Sequence, residues 1–194
     1  MMILMKHKNM EYLKEIYSQN ENGDFILEVF LDRYTDAFNE WDSAFLDVRD
    51  LHPGLVYFLE RCSKDIPYNK NIELNFMVSE NKDSYNEQVL IKALRANFKY
   101  QLLSLQEDLR KLNISIFKYF LISVTLLLLS FALKPDLEFN MLSTTLLEGV
   151  IIGGWVFLWQ AISLFSFNRP ELIEKLKEYN RLLNSKITFS YKSD

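Results

Sequence analysis

The chain is poor in the residues that make chemistry easiest to read from sequence. Among 194 residues there is one cysteine, Cys62, and two histidines, His7 and His52, far apart in the chain. One thiol excludes an internal disulfide framework and a cysteine-rich metal site. Two distant imidazoles give no spacing for a histidine metal centre, and no cofactor is implied. Basic residues are outnumbered, 22 Lys and Arg against 26 Asp and Glu, for a net charge of −4. That balance argues against nucleic acid as a partner, because phosphate neutralisation needs a basic face. Proline (four) and glycine (five) are scarce, and neither occurs anywhere from Asn69 to Lys134.

What the chain does have is two long apolar runs. From Tyr119 to Leu133 no residue is charged, and extending back to Ile114 gives about twenty residues interrupted only by Lys118. At roughly 1.5 Å per residue, that length crosses a hydrocarbon core of about 30 Å. Lys118 lies near one end, where its stem can carry the ammonium to the headgroups. The second run, Gly149 to Asn168, has no ionisable residue and contains Trp155 and Trp159, a residue type favoured at bilayer interfaces. Neither run reads as a signal peptide, since the first begins more than a hundred residues into the chain and no basic, apolar leader is seen before it. The expected topology is a hairpin with spans at 114–133 and 149–168. The connection Lys134–Glu148 carries Asp136, Glu138 and Glu148, whereas Arg110, Lys111, Arg169, Lys175 and Lys177 lie on the other side. The positive-inside rule then places both termini in the cytoplasm.

Gly149 and Gly153 form a small-xxx-small pair, reinforced by Gly154, which lets another helix approach closely. The expected partner is the first span, with Ser123, Thr125 and Ser130 as hydrogen-bonding groups. A homo-oligomeric contact is the other option. Gln160 is the one strongly polar side chain deep in the second span. No Asp, Glu, Arg or His lies mid-span, which weighs against an ion or proton transporter.

Outside the spans, Asn71–Val78 and Lys186–Tyr191 alternate apolar and polar residues as strands do. Phe25–Leu31, apolar toward both faces, reads as a central strand. Pro53 opens a helix that stops before Pro67 and places Cys62 in the core. The apolar positions Val89, Leu94, Phe98, Leu102, Leu105, Leu109 and Leu112 recur at helical spacing and predict one helix from Ser84 to Leu133. Asn168, Pro170 and Glu171 read as the cap, first turn and capping box of a new helix. Met10–Tyr17 reads as a short amphipathic helix. The expected fold is therefore an α+β membrane protein: a small three-stranded sheet with helices, and a transmembrane helical hairpin inserted between a long helix and a C-terminal helix and strand. In that division, residues 1–113 form a cytosolic module, 114–168 the hairpin, and 169–194 return to the module.

The run Ala37-Phe38-Asn39-Glu40-Trp41-Asp42, followed by Val48-Arg49-Asp50-Leu51-His52-Pro53, resembles a family of uncharacterised bacterial two-transmembrane-helix proteins. The likeness extends to Leu103–Asn113 and to Gly153-Gly154-Trp155-Val156-Phe157-Leu158-Trp159. The chain departs from the family at Gln160, where members carry arginine, and at Ser166–Pro170, where they carry Asp-Trp-Trp-Pro. The resemblance implies the architecture and brings no activity. Phe38, Asn39, Trp41, Asp42, Arg49 and Asp50 are the candidate contacts to a partner or ligand, and Gly149, Gly153, Gly154 and Gln160 the candidate helix-packing residues. The bland expectation for the 36–50 loop is that its aromatics pin it to the sheet while its acids face water. The expected function is non-enzymatic, a membrane-anchored module for protein contact or self-assembly, with the lipid bilayer and a protein or second copy as partners. The alternatives are a membrane-perturbing effector, such as a component of an antiphage system, gated by its cytosolic module, and a membrane-surface enzyme using the acidic loop.

Overall fold

A computed structural model describes residues 11–133 and 141–191. The chain divides into two compact units, residues 1–103 with 176–194, and residues 104–175.

In the first unit, a short helix (α1, 11–16) precedes strand β1 (Phe25–Leu31), helix α2 (Pro53–Asp65), strand β2 (Ile72–Val78) and the start of helix α3 (Ser84–Leu133). After the second unit, the end of helix α5 (Arg169–Asn184) leads into strand β3 (Lys186–Tyr191). Met10 and His7 lie outside the described residues. The three strands are all parallel, in the order β1-β2-β3. Phe25–Leu31 is therefore an edge strand, and Ile72–Val78 is the central one. The misreading has a cause: Ile26 and Phe30 make β1 apolar on its second face too, yet Phe30 is 57% exposed.

Connections between parallel strands are almost always right-handed. Two such connections moving in one direction along the sheet put their helices on one face. Burial follows that rule. Leu27, Leu74 and Ile187 lie in register, as do Val29, Phe76 and Phe189. This face meets Leu55 and Leu59 of α2, Leu90, Leu94 and Phe98 of α3 and Leu182 of α5. Cys62 is buried in the same core. The other face carries Glu28, Phe30, Glu73, Asn75, Met77 and Thr188, and among the described residues no helix of the core cluster covers it. Glu73 sits low on that face and is almost fully buried. Its carboxylate accepts from Asn20 (2.8 Å) and Thr188 (2.9 Å) and pairs with Lys186 (3.3 Å). Burial alone would raise its pKa, but these donors together hold it below the usual carboxylate value.

Caps and one arginine fix the helices of this unit. His52 Nδ1 accepts from Gly54 N at 3.0 Å, and Pro53 fills the first turn of α2, where its missing N–H has no role. Asp83 accepts from Tyr85 N (2.9 Å) and Asn86 N (3.3 Å) at the start of α3. Arg181 of α5 donates to the carbonyls of Ile66 and Pro67, each at 3.0 Å, and to Ser63. The turn after α2 is thereby tied to α5.

In the second unit, α3 continues to Leu133 without a break, and α4 (Met141–Ser163) follows. The expected acidic connection ran to Glu148. Residues 134–140 lie outside the described residues, but Met141 to Glu148 are already helical. The expected N-cap at Asn168 is also corrected. Leu164–Asn168 form one π-helical turn in which Arg169 N–H bonds Leu164 O, and Ser163 and Arg169 on either side are helical. The helix therefore runs from Met141 to Asn184. Pro170 explains the widening, because its ring would press on the carbonyl four residues back and it has no N–H to donate. Glu171 pairs instead with Lys175, at 2.8 Å.

Two helices, Ser84–Leu133 and Met141–Asn184, are long and apolar enough to cross a membrane, with mean hydropathies of 2.1 and 1.8 over their most apolar stretches. Only 11% of each such stretch is buried, so these stretches, unlike the start of α3 and the end of α5, lie outside the hydrophobic core.

The one-sided sheet has a measurable signature. Phe76→Ala should lower the module's unfolding free energy by about 3–5 kcal/mol, and Phe30→Ala on the opposite face by less than about 1 kcal/mol. Denaturant titration followed by near-ultraviolet dichroism of the two variants checks this, and equal losses would mean the open face is covered.

Candidate functional site

The loop between β1 and α2 was expected to hold the functional residues. Its ends meet: Phe38 and Leu51 form an antiparallel bridge, Asn39 N donates to Asp50 O at 2.8 Å, and His52 N donates to Ala37 O at 2.8 Å. Within this closure the polar residues turn inward on the loop's own backbone. Asp42 accepts from Ala44 N (2.9 Å) and Asp50 N (2.9 Å). Arg49 donates from Nε (3.1 Å) and from its terminal nitrogen (2.9 Å) to Ala44 O. Asn39 Oδ1 accepts from Trp41 N at 3.1 Å. Asp42, Arg49 and Asn39 thus build the loop's shape. The two backbone donors hold the Asp42 carboxyl below the usual range, with Asp50 N contributing most.

The expected pinning by aromatics holds for only part of the loop. Tyr34, just before it, and Phe38, at its base, are buried in the core. Trp41 is 88% exposed, Phe45 is 86% exposed, and Val48 is exposed beside them. The sequence-predicted residues are therefore brought together on one closed loop, but in two roles: Phe38, Asn39, Asp42, Arg49 and the Asp50 backbone hold it, and Trp41 is presented. Phe45 and Val48 belong with Trp41, and only their solvent exposure reveals it. Solitary exposed apolar residues need no explanation, but three within eight residues of one closed loop are a concentration that does. The same loop carries four acids, Glu40, Asp42, Asp47 and Asp50, against one base, Arg49.

A second cluster was not anticipated. Past the carboxyl ends of the strands, where parallel sheets usually receive ligands, Tyr34 and Tyr191 share a hydroxyl hydrogen bond of 2.7 Å. Tyr191 donates to Glu87 of α3, and Asp83 N donates to the Tyr34 hydroxyl at 3.4 Å. Burial first, then the Glu87 hydrogen bond, pushes the Tyr191 phenol above its ordinary pKa. A depression of about 890 Å³, rimmed by Glu80, Asn81, Lys82 and Asp83, lies over the pair. No local motif signals this cluster, because Tyr34, in the turn after β1, and Tyr191, at the end of β3, lie 157 residues apart and meet only in the fold. Its hydroxyls and carboxylates already bond one another, so the arrangement ties the β1 loop, β3 and α3 together. Among the described residues, no group of three or more His, Cys, Asp or Glu could hold a metal ion.

The four helix-packing candidates separate as well. In the second unit, Gly154 faces α3: a methyl added there would come within 2.8 Å of the Leu127 side chain. Ala161 of α4, with Ser123 and Ser130 of α3, is buried, and Tyr119 stacks on Phe157 at 6.0 Å. Arg169 donates to Asn113 at 3.2 Å. Small residues do pack the two helices, but through Gly154 and Ala161. A methyl at Gly153 would meet only Leu126 Cδ1, at 3.8 Å, and one at Gly149 would meet nothing within 4 Å. Gln160 faces outward and has no hydrogen-bond partner among the described residues.

The Asp42 hydrogen bonds make the loop's order pH-dependent. Since the folded carboxyl has the depressed pKa, its contribution is complete above the ordinary aspartate value and disappears as pH falls below it. Amide exchange at Ala44 and Asp50 should accelerate over that acidic window, relative to the intrinsic rates, in the native protein. Asp42→Ala, which removes both acceptor oxygens, should abolish the step and leave both amides fast at neutral pH. No family model, curated protein or solved structure matches the chain, which leaves its own geometry as the basis for a functional reading.

Proposed function

We propose that the chain is a two-pass protein of a bacterial cytoplasmic membrane, with both termini inside, whose α+β module offers the 38–51 loop as a docking surface for another protein. The observation that carries this reading is the exposure of Trp41 and Phe45 on a loop whose conformation is already locked. Preorganised aromatic side chains are the residues that anchor protein interfaces, because they add large contact area and lose little conformational freedom on binding.

The membrane part rests on two apolar helices left uncovered by the fold and on the charge pattern around them. Arg110, Lys111, Arg169 and Lys175 lie at one end of the helix pair, which the positive-inside rule assigns to the cytoplasm. A protein partner is favoured over lipid for the loop because Glu40, Asp42, Asp47 and Asp50 would meet an anionic leaflet with like charge. The same acids suit a partner with basic residues around an apolar recess. A catalytic role for these carboxylates is less well supported, since both Asp42 oxygens accept loop N–H groups.

A reporter fused after Asp194 should stay on the cytoplasmic side, and periplasmic exposure would overturn the topology. A photo-crosslinking amino acid placed at Phe45 should give a discrete protein adduct in living cells, whereas one at the exposed Tyr57 should not. Trp41→Ala should weaken that adduct's formation by about thirtyfold, the effect of losing an anchor of about 2 kcal/mol. Lipid adducts at position 45, or equal labelling at position 57, would remove the docking role.

A further inference from the structure

Charge is one-sided where the apolar stretches of the second unit give way to polar sequence. Residues 109–120 and 160–170 hold four cations, Arg110, Lys111, Lys118 and Arg169, and no Asp or Glu. Lys111 pairs with Glu107 at 3.0 Å. Among the described residues, Arg110, Lys118 and Arg169 have no carboxylate partner. Arg169 is held by neutral groups instead: its Nε donates to Asn113 Oδ1 at 3.2 Å, and its guanidinium lies 5.5 Å from the centre of the Phe165 ring. Asn113 also lines a depression of about 490 Å³ on α3, with Gln106, Leu109, Arg110, Ile114 and Phe117. Spacings of three and four residues keep these six side chains on one helix face. Asn113 therefore brings two arginines to one place, since Arg169 bonds it from the second helix and Arg110 stands one turn before it. Along α3 the depression changes character. Gln106, Arg110 and Asn113 are polar, whereas Ile114 and Phe117, 45% and 64% exposed, open the apolar stretch. Arg110 and Phe117 are seven residues apart, about 10 Å along the axis.

Two cations without counter-charge, followed within about 10 Å by apolar side chains, complement an amphiphile with an anionic head. Basic pockets beside transmembrane helices on the cytoplasmic side are where anionic head groups bind. A guanidinium presents a planar fork of donors that fits phosphate. Arg169 is already oriented by Asn113 and Phe165, so it loses little rotamer freedom on binding. A free phosphate would engage the arginines and leave Ile114 and Phe117 unused, whereas an acyl chain covers them. We infer that Arg110, Asn113 and Arg169, with the adjoining Ile114 and Phe117, form a site for one anionic phospholipid. The two arginines hold its phosphate, and an acyl chain lies over Ile114 and Phe117. The inference rests on the two-pass reading above, which it deepens by naming a lipid class, and is independent of the docking loop.

The test uses the full chain, extracted into mild detergent from membranes first washed with alkaline carbonate. Native mass spectrometry counts the lipid retained when equal amounts of dioleoyl phosphatidylglycerol and dioleoyl phosphatidylcholine are offered together. One phosphatidylglycerol should be retained in preference by about tenfold or more, the combined attraction of two basic residues. Arg110→Gln should cut that preference by about fivefold, the share of one. Arg110 is the informative position, because it is exposed and its side chain has no hydrogen bond or ion pair among the described residues, so its loss leaves the helix pair intact. Lys175→Gln, which removes a cation already paired with Glu171, should change the preference by less than about twofold. Displacement of the bound lipid by glycerol phosphate would reveal a site for free phosphate and overturn the lipid assignment. Equal retention of the two lipids, or equal effects of Arg110→Gln and Lys175→Gln, in carbonate-resistant protein would overturn the site alone. Release of the protein by carbonate would overturn the two-pass reading and the inference with it.

Discussion

Handedness of parallel crossovers is the constraint on which the module depends. With strands ordered β1-β2-β3, each right-handed connection returns over the same face. One side of the sheet therefore collects α2, the start of α3 and the end of α5, and the other side is left with polar side chains and three apolar ones, Ile26 and the cross-strand pair Phe30 and Met77. Parallel sheets are normally covered on both faces. Here the exposed side is made tolerable by composition: Glu73 is satisfied by Asn20, Thr188 and Lys186, and Asn75 and Thr188 replace the aliphatic residues a buried face would need. The second crossover, from Val78 to Lys186, contains the whole apolar hairpin. A loop between strands can grow that far because each doubling of loop length adds only about 0.6 kcal/mol of closure entropy.

Polar side chains in the module are used mainly to fasten segments that sequence keeps apart. Arg181 ties the end of α2 to α5 through carbonyls near Ser63 and Pro67. Tyr34, Tyr191 and Glu87 join the loop after β1, the last strand and the start of α3. Asp42 and Arg49 do the same on a smaller scale, within one loop. Removing any of these groups would leave a hydrogen-bonding partner unsatisfied, which is where hydrogen bonds matter most to stability. The exposed aromatics Trp41 and Phe45 stand on a base of this kind.

Periodic features were legible in the sequence, and relational ones were not. Absence of glycine and proline from Asn69 to Lys134, with apolar residues at helical spacing, marked α3, and alternation marked Lys186–Tyr191. Alternation says nothing about strand order, and Phe30 and Ile26 made an edge strand look central. Three glycines within six residues announced close helix packing, but choosing Gly154 over Gly149 requires the rotational phase of α4 against α3, which depends on Leu127 and Phe157 across the contact. Asn168, Pro170 and Glu171 satisfy a capping pattern locally, yet helical residues on both sides make a π-turn the continuous solution. In the loop, the roles of Asn39, Asp42 and Arg49 follow from types that favour turns and caps. That Trp41 and Phe45 point outward does not follow, because the same residues would serve equally well as anchors to the sheet.

The π-turn at Leu164–Asn168 gives the two long helices unlike mechanical character. α3 passes from its polar half to its apolar half with an unbroken ladder of hydrogen bonds, whereas the second helix is loosened at Pro170, near the end of its apolar stretch. Bilayers differ in thickness, and a span longer than the local hydrocarbon must tilt or bend. Helices bend most readily where the ladder is already interrupted. In the membrane reading proposed above, a change of bilayer thickness would be absorbed in the second helix at residues 164–170, a yielding point that the apolar stretch of α3 lacks.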